Sequence, residues 1–285
     1  MRAVAIVGLA VVAVAASGCI AKRSPAWIAP GEPFGALSEQ ILQDLAGSGE
    51  YAWKRRAEPG QLDEAARAWG AALRYNPSDA NVLVRLAHVA LRRAPLSRGA
   101  GAAERYDEAA SYAERALSAR NEKLRQAARA GQDPVEVFSR AEPVDAPALV
   151  AYAEALLGWS LAHGTPTLLK QRDWIAAAAG RALGFDPAVG WGAPNRVLAT
   201  LECELPEAKQ NLHVARERFE AAVAAAPAYL PTRLAYAQEY ATRVRDEALY
   251  RRLLDEIIAA DPNALPDAAP ENADAQRTAK ALRKR

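Results

Sequence analysis

The chain is poor in the side chains on which most chemistry is built. Its 285 residues include two cysteines, three histidines and one methionine. His88, His163 and His213 are scattered, and none has a His or Cys partner at metal-ligand spacing, so no metal site is expected. There is no His-Glu-x-x-His, no Walker loop and no Gly-x-Ser-x-Gly. A serine nucleophile needs a positioned base and an orienting acid. The sequence has no pattern for that, and neither an enzyme nor a cofactor is expected. A hydrolase stays as a third-rank alternative, which would lose activity on substitution of one of the histidines. Glu202 and Glu204, two apart on a helix, point in different directions and do not form a carboxylate pair. Excess charge is lacking too. A formal net charge of +2 implies no polybasic face, so nucleic acid is not an expected partner. Only Lys280–Arg285 is locally basic, and it reads as a solvated terminus, with contact to acidic headgroups as the lesser reading. Strand-type alternation is scarce. Beyond the N-terminus no apolar run approaches the length of a membrane span.

What is present begins with that N-terminus. Arg2 supplies a positive charge, and Ala3–Ala16 is almost unbroken Ala, Val, Ile and Leu, too short to cross a bilayer as a helix. Val14-Ala15-Ala16-Ser17-Gly18-Cys19 then places small residues before a cysteine, as in a bacterial lipobox. Residues 1–18 are read as a lipoprotein signal peptide and Cys19 as the lipidation site. Several acyl chains would anchor it firmly, at about 0.8 kcal/mol per buried methylene. The alternative is an ordinary cleaved signal with a chance cysteine. Ile20 follows, with no Asp as an inner-membrane retention signal, which favours a periplasmic protein on the outer membrane. Cys203 is then alone, and with no disulfide the domain must rely on its core. It sits between Glu202 and Glu204, which would raise a thiol pKa, and reads as inert.

Residues 19–36, with Pro25, Pro30, Pro33, Gly31 and Gly35, are expected to form a flexible lipidated tether. Helix begins at about Leu37, and residues 37–285 read as a single all-α domain. Its helices carry a repeat. Ala65, Trp69, Ala72 and Pro77 match the second helix of a tetratricopeptide repeat: the alanines admit the partner helix, Trp69 fills the groove, and Asn76-Pro77 stops the helix. The spacing returns as Ala215, Phe219, Ala222, Pro227 and as Tyr250, Leu254, Ile257, Pro262. Looser copies are Ala109, Ala113, Ala116, Asn121 and Ile175, Ala179, Ala182, Pro187. Leu83, Leu86, Ala87 and Ala90 fit a first helix. The stops are unevenly spaced, which implies inserts near 94–103, 131–147 and 187–206 and an irregular solenoid closed into a compact bundle.

The aromatics leave two readings open. Tyr152 and Trp159, seven apart on one helix face, and Trp174 on the next helix either pack a helix pair or, with Trp191, line an apolar pocket or pore closed by Arg196. A long apolar tail would lie on the aromatic walls and its carboxylate on the guanidinium. Arg196 is alternatively an intramolecular salt-bridge partner. Tyr236 and Tyr240 read as repeat core.

Three segments resemble the T-component lipoproteins of tripartite ATP-independent periplasmic (TRAP) transporters. One is Glu50-Tyr51-Ala52-Trp53-Lys54-Arg55-Arg56, leading to Leu62–Trp69 and Asn76-Pro77. The second is Gly190-Trp191-Gly192-Ala193-Pro194-Asn195-Arg196-Val197-Leu198, where Trp191 separates glycines that are usually paired. The third is Leu234–Ala241 with Asp246, Leu249-Tyr250, Leu253-Leu254, Leu265-Pro266-Asp267, Glu271-Asn272 and Ala275-Gln276-Arg277. The resemblance runs from Leu37 to Leu282. It implies a non-catalytic periplasmic helper that docks an extracytoplasmic solute-binding protein and takes an apolar or amphiphilic small molecule, with self-association into a homo-oligomer around a central pore as a further expectation. The alternative is a generic tetratricopeptide lipoprotein scaffold in envelope assembly or polysaccharide export.

Overall fold

The computed structural model describes residues 20–97 and 100–284. The signal segment and Cys19 lie outside the described residues. The described residues form helices and no strand. In chain order the helices are α1 (Glu39–Lys54), α2 (Gln61–Tyr75), α3 (Ala80–Arg93), α4 (Ala100–Arg120), α5 (Glu122–Arg129) and α6 (Pro134–Phe138). They continue as α7 (Ala146–His163), α8 (Thr165–Phe185), α9 (Val189–Glu204), α10 (Leu212–Ala225), α11 (Leu230–Ala235), α12 (Glu247–Ala259) and α13 (Ala269–Arg283). None of the described helices is long and apolar enough to cross a membrane.

Local chemistry sets the boundaries. Asp79 accepts from the backbone N–H groups of Asn81 and Val82 at 3.0 Å, and Asn121, Asn211 and Asp246 cap α5, α10 and α12 in the same way. The expected stops all fall just past helix ends: Pro77 after α2, Asn121 after α4, Pro187 after α8, Pro227 after α10 and Pro262 after α12. Consecutive helices pack as hairpins, α1 on α2, α3 on α4, α7 on α8, α9 on α10 and α12 on α13. The small and bulky residues of the repeated pattern sit in these interfaces. Ala65 and Trp69 are buried, as are Ala215, Phe219, Ala222, Leu254 and Ile257. Each fully buried Leu, Ile or Phe contributes about 1.5–3 kcal/mol.

Two cores result, and α9 joins them. Val197 and Leu201 face the core built by α1–α8, and Ala199 and Cys203 face the core of α10–α13. The i, i+4 spacing keeps each pair on one face, and the offset of two residues between the pairs puts them on opposite sides of the helix. The ends of the chain are also tied together: the Arg56 guanidinium, just after α1, donates to both carboxylate oxygens of Glu271 on α13, at 2.8 and 2.5 Å.

The four segments expected as inserts and tether are placed as follows. Segment 187–206 is not a decorating insert, because it forms α9, a full member of the α9–α10 hairpin. Segment 131–147 holds α6, with Val137 and Phe138 buried, and the described part of 94–103 comprises a short 3-10 turn at Ala94–Leu96 and the first turn of α4 from Ala100. Residues 20–36 are extended without helix, as their prolines require, but they do not hang free. Trp27 is buried in the first core, and the Arg23 side chain is only 4% exposed between Asp107 and Glu114. Apolar burial and a buried ion pair outweigh the local bias of the prolines.

Candidate functional site

A cavity of about 560 Å³ lies among α3, α7, the start of α9, α11 and α13. Its most unusual wall is the turn that opens α9. Gly190, Trp191 and Gly192 all have left-handed backbone, with φ of 58°, 57° and 78°. Gly192 is required there: a Cβ would come within 2.7 Å of the Ala222 carbonyl oxygen on α10. Trp191 has no such freedom, and its conformation costs about 1–2 kcal/mol. Strain of this kind collects at functional sites. Here it turns the indole into the cavity, stacked on Tyr229 with centroids 5.0 Å apart.

Arg196 sits one turn further along α9. Its guanidinium lies 5.0 Å from the Tyr229 ring, donates to Thr232 Oγ1 at 3.2 Å and to the Trp191 carbonyl at 3.3 Å, and pairs with Glu154 of α7 at 2.6 Å. Arg196 thus pairs with Glu154 and also lines the cavity. Leu91, Val150 and Leu234 supply apolar wall, with Trp53 and His88 opposite, their rings 6.4 Å apart. Burial pushes the His88 pKa below its ordinary value, so the ring is neutral at pH 7. Arg92, Glu271 and Asp274 form a charged edge whose members pair with one another.

Glu154 and Arg196 also line a smaller cavity of about 350 Å³, so this pair stands at the boundary between the two. The smaller cavity contains Tyr106, Leu157, Leu161, Thr200 and Glu239. Glu239 belongs to a π-helical turn, Tyr236–Ala241, that extends α11, and such turns often mark functional positions. Burial pushes its carboxyl pKa up to about 7, against a hydrogen bond from Thr200 Oγ1 at 2.5 Å that favours ionisation.

Of the residues expected at a pocket, the structure brings together Trp191 and Arg196. Trp174 and Trp159 are elsewhere, which corrects that expectation. Trp174 packs against Trp27 and Phe138 at 6.2 and 5.6 Å, and Tyr152 joins the same cluster. Trp159 is 4% exposed and lies on His163. Helical periodicity gives a face but not the occupant of the space opposite it; here Trp27, from outside the helices, fills that space. Glu154 and Tyr229 carry no motif. The one local signal is Pro227-Ala228-Tyr229-Leu230-Pro231, where two prolines bracket an aromatic at a helix start.

Cys203 is buried, and desolvation raises its thiol pKa to about 12, so it is no nucleophile. Among the described residues no group of three His, Cys, Asp or Glu is placed to hold a metal ion. Comparison with known protein families matches residues 92–285 to the TRAP transporter T-component. The match leaves out α1, α2 and most of α3, so the Glu50–Pro77 part of the resemblance lies beyond it. No curated protein matches the chain. The family fits a non-enzymatic protein. Because the matched segment covers most of the chain, including Arg196, Tyr229 and the strained turn, the chain belongs to the TRAP transporter T-component family.

Proposed function

We propose that this chain is a lipid-anchored periplasmic helper of a TRAP-type transport system. Its helical hairpins, read as irregular tetratricopeptide repeats, form one domain over 37–285. That domain docks a solute-binding protein and holds an apolar or amphiphilic molecule on its way to or from that partner. Cys19 carries the lipid, more consistent with the outer membrane than the inner. The observation that carries the ligand reading is the cavity wall formed by Trp191, Tyr229 and Arg196. An alkyl or aromatic tail lies on the two rings, and a carboxylate takes the guanidinium in competition with Glu154. Trp159 and Trp174 drop out of this site.

The scaffold reading has one observation in its favour. A groove of about 780 Å³ combines the charged Glu50, Asp79, Arg85, Arg120 and Asp186 with apolar Trp69, Val82, Val144 and Val189, a mixed lining suited to an extended peptide. A pull-down from periplasmic extract with residues 20–285 separates the two. Capture of a solute-binding protein of TRAP type is expected. Capture of envelope-assembly proteins without one would overturn the transport reading.

A further inference from the structure

The segment before α1 takes no part in the cavity, yet it is fastened along its length. The Ala21 N–H donates to Thr167 Oγ1 at 3.2 Å. Arg23 Nε meets Asp107 Oδ1 at 2.7 Å, and its Nη2 donates to Glu114 Oε2 at 3.1 Å. The Ala26 N–H donates to the same Glu114 oxygen at 2.5 Å. Trp27 then closes an aromatic cluster with Phe138, Tyr152 and Trp174. Glu114 is fully buried, and a buried carboxylate that lost its cation would be strongly disfavoured. The docked state is therefore built into the core of α4.

The first fastening comes two residues after Cys19. Two residues of extended chain reach at most about 7 Å. Thr167 lies in the first turn of α8, beside the exposed α7–α8 corner at His163–Thr165. An acyl chain on residue 19 therefore draws that corner to the bilayer. The chemistry at this end suits a lipid surface. Ile20 and Leu161 are exposed at 48% and 39%. Lys22 is exposed close to Ile20, where acidic headgroups would lie, and Lys170, Arg172 and Asp173 are exposed around the second turn of α8.

We propose that residues 20–27 are a docked strap that holds the bundle in one orientation, with the α7–α8 corner against the membrane. The inference rests on lipidation at Cys19 and is independent of what the cavities hold. It has a consequence for them: Leu161 and Gly158 line the smaller cavity, which then lies at the membrane-facing end of α7.

The test uses the full lipidated chain on phosphatidylethanolamine–phosphatidylglycerol vesicles that contain a nitroxide-labelled lipid. A fluorophore is placed at Thr165→Cys or, as the distant position, at Ala264→Cys in the turn after α12. The strap predicts quenching several-fold stronger at 165 than at 264. A Gly-Ser insertion of about twelve residues between Cys19 and Ile20, with a mean span of about 19 Å, leaves the fold untouched and should abolish the difference. Equal quenching at both positions in the unaltered chain overturns the strap while leaving lipidation standing. Failure of the chain to stay on vesicles, with the Cys19→Ser variant behaving identically, overturns both.

Discussion

Two aromatic clusters in this molecule have similar composition and opposite fates. Trp27, Phe138, Tyr152 and Trp174 pack as one cluster, with neighbouring ring centroids between 5.5 and 6.3 Å apart. Trp191, Tyr229, Trp53 and His88 border a cavity of about 560 Å³. The first is closed by the chain's own N-terminal strap. The second is kept open by two devices: a left-handed turn that commits Trp191 to one wall, and charges that brace the rest. Arg196 held by Glu154 ties α9 to α7, and Arg92 held by Glu271 and Asp274 ties α3 to α13. An aromatic group becomes core where the chain supplies a filler and becomes a site where strain and ion pairs deny it one.

The largest expected effect breaks the closed cluster. Trp27→Ala should cost about 3 kcal/mol, read as a shift in the urea midpoint of residues 20–285. A loss near zero would mean that the strap adds nothing to the core. Next is the open cluster's support. Gly192→Ala places a Cβ against the Ala222 carbonyl in left-handed backbone and should cost about 2 kcal/mol. It should also weaken ligand binding by displacing Trp191.

Trp191→Gly separates stability from function. The variant relieves about 1–2 kcal/mol of backbone strain and gives up about 0.5–1.5 kcal/mol of stacking on Tyr229. The urea midpoint should barely move while affinity for an amphiphile falls. A large loss of stability would place Trp191 with the core residues instead.

The last effect is electrostatic and is read as a dependence on pH. Glu239 has its pKa raised by burial to about 7, above the ordinary 4.5. The native state therefore binds this proton more tightly than the unfolded chain does. Its contribution is neutral below pH 4.5, turns unfavourable as pH rises towards 7, and stays so above. Glu239→Gln should flatten that part of the pH–stability curve. An unchanged curve would show that the carboxyl is well solvated.

Much of the fold is legible in the sequence. The Ala65-Trp69-Ala72 spacing and the Asn76-Pro77 stop locate a helix and its buried face because both follow from helical geometry and from proline's missing donor. Segment 187–206 is harder, since Gly190-Trp191-Gly192 reads as loop while the residues after it build α9. The site is half legible. Arg196 and Trp191 stand in a marked glycine-rich stretch. Trp159 and Trp174 show why the rest is not: periodicity assigns a face, but only long-range packing decides that Trp27 covers Trp174 and that Glu154 comes to Arg196 from 42 residues away.

The measurement that tests the central claim most directly is a titration of residues 20–285 with dodecanoate, followed by intrinsic fluorescence and calorimetry. The account predicts saturable binding at one site, weakened by Trp191→Gly and by Arg196→Gln and unaffected by Trp174→Phe. Absence of binding, or binding lost with Trp174→Phe and kept with the other two variants, would contradict it.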